Sequence, residues 1–419
     1  MKILVVVEHF PALSETFVLD QVKKLISRGH DVTVYAVGRP SGSVQHEDFA
    51  KLNLLSLTRY SRPIPRSKQT RILGALSIGY RLFSLYGLSS IFAFNFMRHG
   101  RSALNLKVLY SCANLIDEMT DFDVIHCHFG DKGVLAQTWL DIGLLTGRLS
   151  VVFHAHELCN LDVRSGAKKY SCLFRSNALL LPVSRRWKNL LESWGADETR
   201  VRVHHMGVSL LSFPFRQRER SKGDAVRILT VGRLTEQKGF SYSIEAVHGL
   251  MAETSIPVRY DIIGEGDLLE ELKARIRDYG REGTIRLLGG MTREQVKAEL
   301  YASDIFLLPS VKGKNGLQEG IPVALMEAMA TGLPVVSTRH SGIPELIEHE
   351  LSGLLAAEKD AADLLGKIRR LLNDPDLARE FAQKGREKVQ REFSTESLIA
   401  DLEATFLEEE SLKNLGISR

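Results

Sequence analysis

Short apolar runs alternate with stretches of helical period along most of the chain, an order that predicts parallel β-strands with helices on both faces. KILVVV (2–7) reads as a buried strand, and DVTVYAV (31–37) as the next. Between them, Ser14 is placed to cap a helix that carries Val18, Val22, Leu25 and Ile26 on one face and stops at Gly29. DVIHCHFG (123–130) and LSVVFHAHEL (149–158) each run apolar and then end in a polar cluster. Ligands of open parallel sheets sit at the carboxyl ends of strands, so His126, His128, His154, His156 and Glu157 are placed to line a crevice. The alternation breaks over the polar, turn-rich stretch SLLSFPFRQRERSKGD (209–224). It then restarts with RILTVGRL, VRYDIIGEG, TIRLLGG, DIFLLPS, LPVVSTRH and SGLLAA, each followed or preceded by a helix-like segment. The segment 395–412 reads as a closing acidic helix.

Length agrees with a two-domain division. At 419 residues the chain exceeds one ordinary core and suits two α/β domains of roughly 200 residues each. The expected boundaries are 1–212 and 213–394, with 395–419 packing back toward the first domain. A content of 44% apolar and 25% charged residues is that of a globular protein and excludes a disordered chain. Four cysteines without a C-x-x-C pair exclude a disulfide scaffold and a zinc ribbon, and leave reduced thiols as the expectation. The opening apolar run stops at Glu8, too short for a signal-peptide core, so a cytoplasmic location is expected.

Charge changes the picture more. Residues 1–212 hold 26 Lys+Arg against 17 Asp+Glu, and the remainder 29 against 34. Residues 49–116 hold ten basic residues and no acid. Such a stretch attracts phosphates, anionic lipid or nucleic acid, or is a solvated surface. Nucleic acid is the poorest of these partners, since aromatic interleaving and binding motifs are absent. Within the stretch, 75–97 (ALSIGYRLFSLYGLSSIFAFNFM) admits three readings: a membrane span, an interfacial amphipathic helix and an ordinary domain helix.

Two segments carry chemistry. In EGIPVALMEAMATGLPVVSTRHSGIPELIE (319–348), Pro322 suits a first helical turn and Gly332 a stop, predicting a helix of about ten residues. Glu319 then lies in the entering loop and Glu327 in the helix, a pair able to accept hydrogen bonds from vicinal hydroxyls. By itself, a bare pair of glutamates reads as one solvated residue and one on the helix surface. In VGRLTEQKGF (231–240) a strand ends at Gly232, where the backbone can approach a ligand, and Arg233 and Lys238 follow in one loop before a helix. Two cations and free N–H groups suit a departing nucleoside diphosphate, whose charge grows as the sugar–phosphate bond breaks.

In this order the two segments resemble glycosyltransferase family 4, the retaining nucleotide-sugar transferases of GT-B fold. The likeness is closer to the branch of colanic-acid and amylovoran transferases. It is carried by FPALSETFVLDQ (10–21), VIHCHFG (124–130), MGV (206–208), GRLTEQKG (232–239) and LPSVKGKNGLQEGIPVALMEAMATGLPVVSTRHSGIPELIE (308–348). It is weakest over 40–115. The implied fold is α/β GT-B, two doubly wound Rossmann-like domains facing each other across a central cleft. The implied function is transfer of a sugar, with retention and without a metal, to a saccharide acceptor in exopolysaccharide synthesis. The implied donor is a UDP- or GDP-type nucleotide sugar, the implied acceptor a polyprenyl-pyrophosphate-linked saccharide, and an anionic membrane surface a peripheral partner.

The same resemblance implies residue roles. Arg233 and Lys238 hold the donor pyrophosphate, Glu327 the ribose hydroxyls, and Glu319 the donor sugar together with backbone amides around Gly320 and Ile321. Gly264 and Gly266 of the GEG turn, with Leu288 and Gly289, match base-binding loops. His154 matches an active-site histidine at the donor sugar. The loop after the first strand departs from many relatives, carrying Ser14, Glu15 and Thr16 in place of a Gly-Gly pair. That helix start remains suited to phosphate or acceptor. Asp121-Phe122-Asp123 spells a metal-binding D-x-D but precedes a strand, so the expectation is a turn, and the two H-x-H pairs lack further ligands for zinc. The GEGDLL run lacks the third glycine of a dinucleotide fingerprint. Rival activities are a GT-B sugar-nucleotide epimerase, a phosphorylase, or a silent sugar-nucleotide-binding scaffold.

Overall fold

The computed structural model describes residues 1–11, 16–39, 54–118, 121–221 and 223–414. The chain forms two compact units. Unit one comprises 1–183, 187–204 and the residues from Asp401 onward, and unit two comprises 184–186 and 205–400. The division thus falls at His204/His205, before the 209–224 stretch that marks it in the sequence.

Unit one is built on β1 (Lys2–His9), β2 (Asp31–Gly38), β3 (Thr58–Tyr60), β4 (Asp121–His128), β5 (Thr146–Phe153) and β6 (Leu179–Pro182). They form one parallel sheet of order β3-β2-β1-β4-β5-β6. The order reverses beside β1, which makes the carboxyl ends of β1 and β4 a topological switch point. Ile3 to Val7 are buried throughout, as a central strand covered on both faces demands. The helix Thr16–Ser27 buries Val18, Val22 and Leu25, and Gly29 follows it at φ +85°. β3 and β6, of three and four residues, have no counterpart in the sequence reading.

The acids of the D-x-D triplet serve the start of β4. Asp123 accepts a hydrogen bond from the Lys2 N–H at 2.6 Å, and Asp121 one from the Thr146 hydroxyl at 2.6 Å. From Asp401 onward the closing helix Thr395–Asn414 belongs to unit one. Its Glu403 pairs with Arg28 (2.5 Å) and His30 (2.6 Å), and Phe406 lies edge-on to His126.

Unit two contains β7 (Val226–Val231), β8 (Val258–Ile263), β9 (Ile285–Leu287), β10 (Ile305–Leu308), β11 (Val335–Thr338) and β12 (Leu354–Ala356). The parallel order is β12-β11-β10-β7-β8-β9, with its switch point beside β7. Each half is therefore a doubly wound, Rossmann-like sheet of six strands, the fold class expected from the sequence. Leu229, Phe306, Leu308, Leu325, Met326 and Val335 are fully buried, which anchors the helix Val323–Ala330 against this sheet. On β8, the fully buried Asp261 carboxylate is held by Arg227 (2.6 Å), Arg286 (2.7 Å) and Arg259 (3.0 Å). All four cysteines are buried free thiols.

Candidate active site

The loops that leave the carboxyl ends of β7, β8, β9 and β10 are bound to one another by backbone approach. Gly232 N–H donates to Ile263 O (3.0 Å), Gly264 N–H to Gly289 O (2.9 Å) and Leu234 N–H to Glu265 O (2.8 Å). Gly264 has φ +149°, and a Cβ on it would lie 1.9 Å from Gly232 O. Gly239, at φ +68°, ends the short turn Glu236–Lys238 and caps the helix Phe240–Glu253; a Cβ there would lie 1.9 Å from Pro309 O. Both glycines are required by closeness of backbone rather than by flexibility. Leu288 continues the ladder from β9 through its N–H to Ile262 O (2.8 Å).

On this frame Arg233 is exposed, and Lys238 is turned inward. The Lys238 ammonium donates to Glu319 Oε2 at 3.0 Å, with the two side chains 14% and 20% exposed. Eighty-one residues apart, they are brought together by the loop 309–322. That loop is stitched to the β7 loop by Val311 N–H to Gln237 O (2.9 Å) and Lys314 N–H to Glu236 Oε2 (2.9 Å).

Glu319 is further fixed through its backbone. Its N–H donates to His340 Nε2 (3.2 Å), and its carbonyl accepts from the Ser341 hydroxyl (2.7 Å). The buried His340 ring in turn bonds Glu358 through Nδ1 at 2.8 Å. Gly342 packs under Gly320 and Ile321, where a Cβ would meet Ile321 Cγ1 at 2.7 Å. The helix Val323–Ala330 is eight residues long, with Pro322 as its N-cap rather than in its first turn, and Glu327 is half-buried on it. His340, Ser341 and Glu358 went unnoticed in the sequence. Only the TRHSG run after β11 offered a signal for them.

In unit one the histidines cluster at the carboxyl ends of β4 and β5. His128 Nδ1 meets His154 Nε2 at 3.0 Å, and their rings stack at 5.3 Å. His126 bonds the Ser150 hydroxyl at 3.2 Å. Burial, followed by mutual repulsion with His126 and His204, pushes His154 down to about 3, and burial likewise holds His126 and His128 well below the usual imidazole range. All three are neutral near pH 7. Phe17, in the first turn of the helix Thr16–Ser27, packs on His154 at 4.9 Å. Ser14 and Glu15 lie outside the described residues, as does the Thr16 side chain.

Ala155 takes φ +86°, and the Glu157 carboxylate clamps this turn. Its Oε1 accepts from the N–H groups of His154 (2.9 Å) and Gly130 (3.4 Å), while Oε2 is buried without a partner. Burial, against the lowering effect of those N–H groups, raises this carboxyl to about 7. The sequence placed Glu157 near a crevice and was silent on its desolvation. Among the described residues no group of three or more His, Cys, Asp or Glu side chains is arranged to hold a metal ion.

Comparison with known proteins supplies the frame for this geometry. Residues 14–210 match the model for Glycosyltransferase Family 4, and residues 213–388 that for Glycosyl transferases group 1. WcaL of Salmonella typhimurium, assigned as a colanic acid biosynthesis glycosyltransferase, is 36% identical over 96% of this chain and 98% of its own. The amylovoran biosynthesis glycosyltransferase AmsK of Erwinia amylovora is 38% identical over 94% and 96%. Among solved structures, a glycosyltransferase from Rickettsia africae superposes with a TM-score of 0.70 at 18% identity, covering 97% of this chain and 98% of that one. Anabaena Alr3699/HepE, in complex with UDP and glucose, gives 0.68 at 15% identity, covering 97% and 100%.

Proposed function

The chain belongs to glycosyltransferase family 4, and on that premise we propose that it moves a sugar from a UDP- or GDP-type donor to a lipid-linked saccharide, with retention and without a metal, in exopolysaccharide synthesis. The observation that carries this reading is the Lys238–Glu319 pair, seated beside Arg233 on glycine-bound loops at the switch point of the second sheet. There, Arg233 and Lys238 take the donor diphosphate, with the N-terminus of the helix Phe240–Glu253 adding its dipole. Glu319 holds Lys238 in place and, with the amides around Gly320 and Ile321, contacts the sugar. Glu327 takes the ribose hydroxyls, and the loops at Gly264, Gly266 and Leu288 take the base. His154 is the neutral imidazole assigned to the donor sugar, and the Ser14–Thr16 region is assigned to acceptor or phosphate.

The step needs no protein nucleophile. As the anomeric carbon–phosphate oxygen bond breaks, the acceptor hydroxyl oxygen bonds that carbon from the same face. Its proton passes to the departing phosphate oxygen, whose growing charge is stabilised by Arg233 and Lys238. The amylovoran and colanic-acid assignments of full-length relatives support an exopolysaccharide acceptor, and the UDP complex of a structural neighbour supports a nucleotide donor. The reaction is placed at the cytoplasmic face of a membrane.

A thermal-shift screen of UDP-, GDP-, ADP- and dTDP-sugars tests the donor. A ligand at 100 times its dissociation constant stabilises by about 2.7 kcal/mol, a readable shift. Nuclear magnetic resonance of the product with EDTA present then reads the anomeric configuration. No shift with any nucleotide sugar, inversion, or loss of transfer on chelation would each refute its part of the reading.

A further inference from the structure

The segment 68–104 of unit one presents an apolar surface that nothing among the described residues covers. In the helix Lys68–Tyr86 only Ile78 and Leu82 are buried. They seat one side of the helix on the unit, where Gly74 meets the Tyr110 ring and the Tyr110 hydroxyl donates to Arg71 O (2.9 Å). Lys68–Phe94 is long and apolar enough by length and composition to cross a membrane, but this docked side lays the helix along the surface of the unit. On the outer side Leu73, Leu76, Tyr80, Leu88, Ile91 and Met97 are each at least 65% exposed. Monomeric surfaces rarely leave so many large apolar side chains together without a partner.

Charge identifies the partner. The chain from 49 to 116 holds ten basic residues and no acid, a composition that disfavours a second copy of this segment and favours an anionic lipid surface. Met97 also lines a cavity of about 490 Å³ at the carboxyl ends of β1 and β2, where Glu8 and Val37 stand. Its walls carry Lys107, Lys132, Lys168 and Lys169 against Glu8 and Asp131, a surplus of two positive charges once Arg98 is matched by Asp141. Lys132 pairs with Glu8 and Lys169 with Asp131. Lys107 and Lys168 have no carboxylate partner among the described residues. A diphosphate ester carries two negative charges as a diester and up to three as a monoester, and the apolar part of the wall continues through Met97 onto the uncovered face.

We propose that this lysine-walled cavity holds the diphosphate of a lipid-linked ligand while the outer side of 68–104 rests in an anionic bilayer. Placing that ligand as the acceptor rests on the transferase reading above; the site itself does not.

The test is co-sedimentation of the full chain with phosphatidylcholine vesicles carrying undecaprenyl diphosphate, beside charge-matched phosphatidylglycerol vesicles. The native chain is expected on both, and more tightly on the diphosphate. Lys107→Gln with Lys168→Gln, both exposed, is expected to weaken diphosphate binding about 30-fold and to erase the preference, from roughly a factor of five per lost cation. Leu76→Asp with Leu88→Asp is expected to release the protein from both vesicles. Equal binding to the two vesicles by the native chain, an unchanged preference in the lysine variant, or self-association with no vesicle binding would each overturn the proposal. A nucleotide-sugar thermal shift on the same samples separates the two readings. Lost vesicle binding with an intact shift sinks the lipid site alone, and bound vesicles with no shift sink the transferase donor site alone.

Discussion

Replacing Gly264 by alanine tests whether the donor loops owe their position to backbone contact. The added Cβ would lie 1.9 Å from Gly232 O and 2.9 Å from Gly232 C. Carbon–heavy-atom contacts settle near 3.5–4.0 Å, so one loop must retreat by about 2 Å. That retreat strains a residue at φ +149° and threatens the Gly232 N–H to Ile263 O bond. Strain of about 1–3 kcal/mol plus about 1 kcal/mol for the bond gives a loss of roughly 2–4 kcal/mol. For a unit of this size the midpoint falls by roughly 5–15 °C in differential scanning fluorimetry. Because Arg233 follows Gly232 directly, its displacement by an ångström or more lowers transfer by about 100-fold. Gly280→Ala is the control: φ is +61° and no atom lies within 4 Å of the new Cβ. It should lose about 1–2 kcal/mol by strain alone and transfer normally. A folded Gly264→Ala protein with native transfer, or equal kinetic losses in both variants, would refute the reasoning.

Other expectations follow from single contacts. Arg233→Ala and Lys238→Ala should each slow transfer by roughly 10²–10³ while the protein stays folded, read by product formation at saturating donor; near-native turnover in either removes its role at the leaving group. Glu157, raised to about 7, stabilises the fold fully below the unfolded carboxyl value of 4.5, and that contribution is lost as pH rises from there through 7. The change is about 3 kcal/mol, so the stability of Glu157→Gln relative to the native chain should increase by that order between pH 4.5 and 8 in urea unfolding. A pH-independent difference would show that the carboxyl is not desolvated. Asp261→Ala leaves three arginines around a buried gap and should destabilise unit two by about 3–5 kcal/mol, measured by denaturant midpoint; a cost under about 1 kcal/mol contradicts the pairing.

The strands and most helices were legible because burial on both sheet faces imposes continuous apolar runs, and turns impose glycine. β1, β2, β4 and β5 and the six strands of unit two fall on the runs read from sequence. The Gly232, Arg233 and Lys238 loop and the Glu319 to Glu327 stretch stood out by composition and order, and by likeness to a family. Charge along 49–116 was equally plain.

What the linear pattern could not decide was which distant groups meet. Lys238 reaches Glu319 because strand order sets β10 beside β7, and no local period records that order. His128 and His154 are partners because β4 and β5 lie in parallel register, while the D-x-D acids were drawn off to Lys2 and Thr146 by the same sheet. Glu157 became a desolvated carboxyl only once the β5 turn closed over it. Along 75–97, packing turned Ile78 and Leu82 inward and left Leu76, Tyr80, Phe83 and Leu85 exposed, a direction that no local period records. Apolar periodicity is a property of residues a few positions apart and determines elements. Pairing, burial of charge and the direction of a face are set by contacts between elements, so only the tertiary structure decided them.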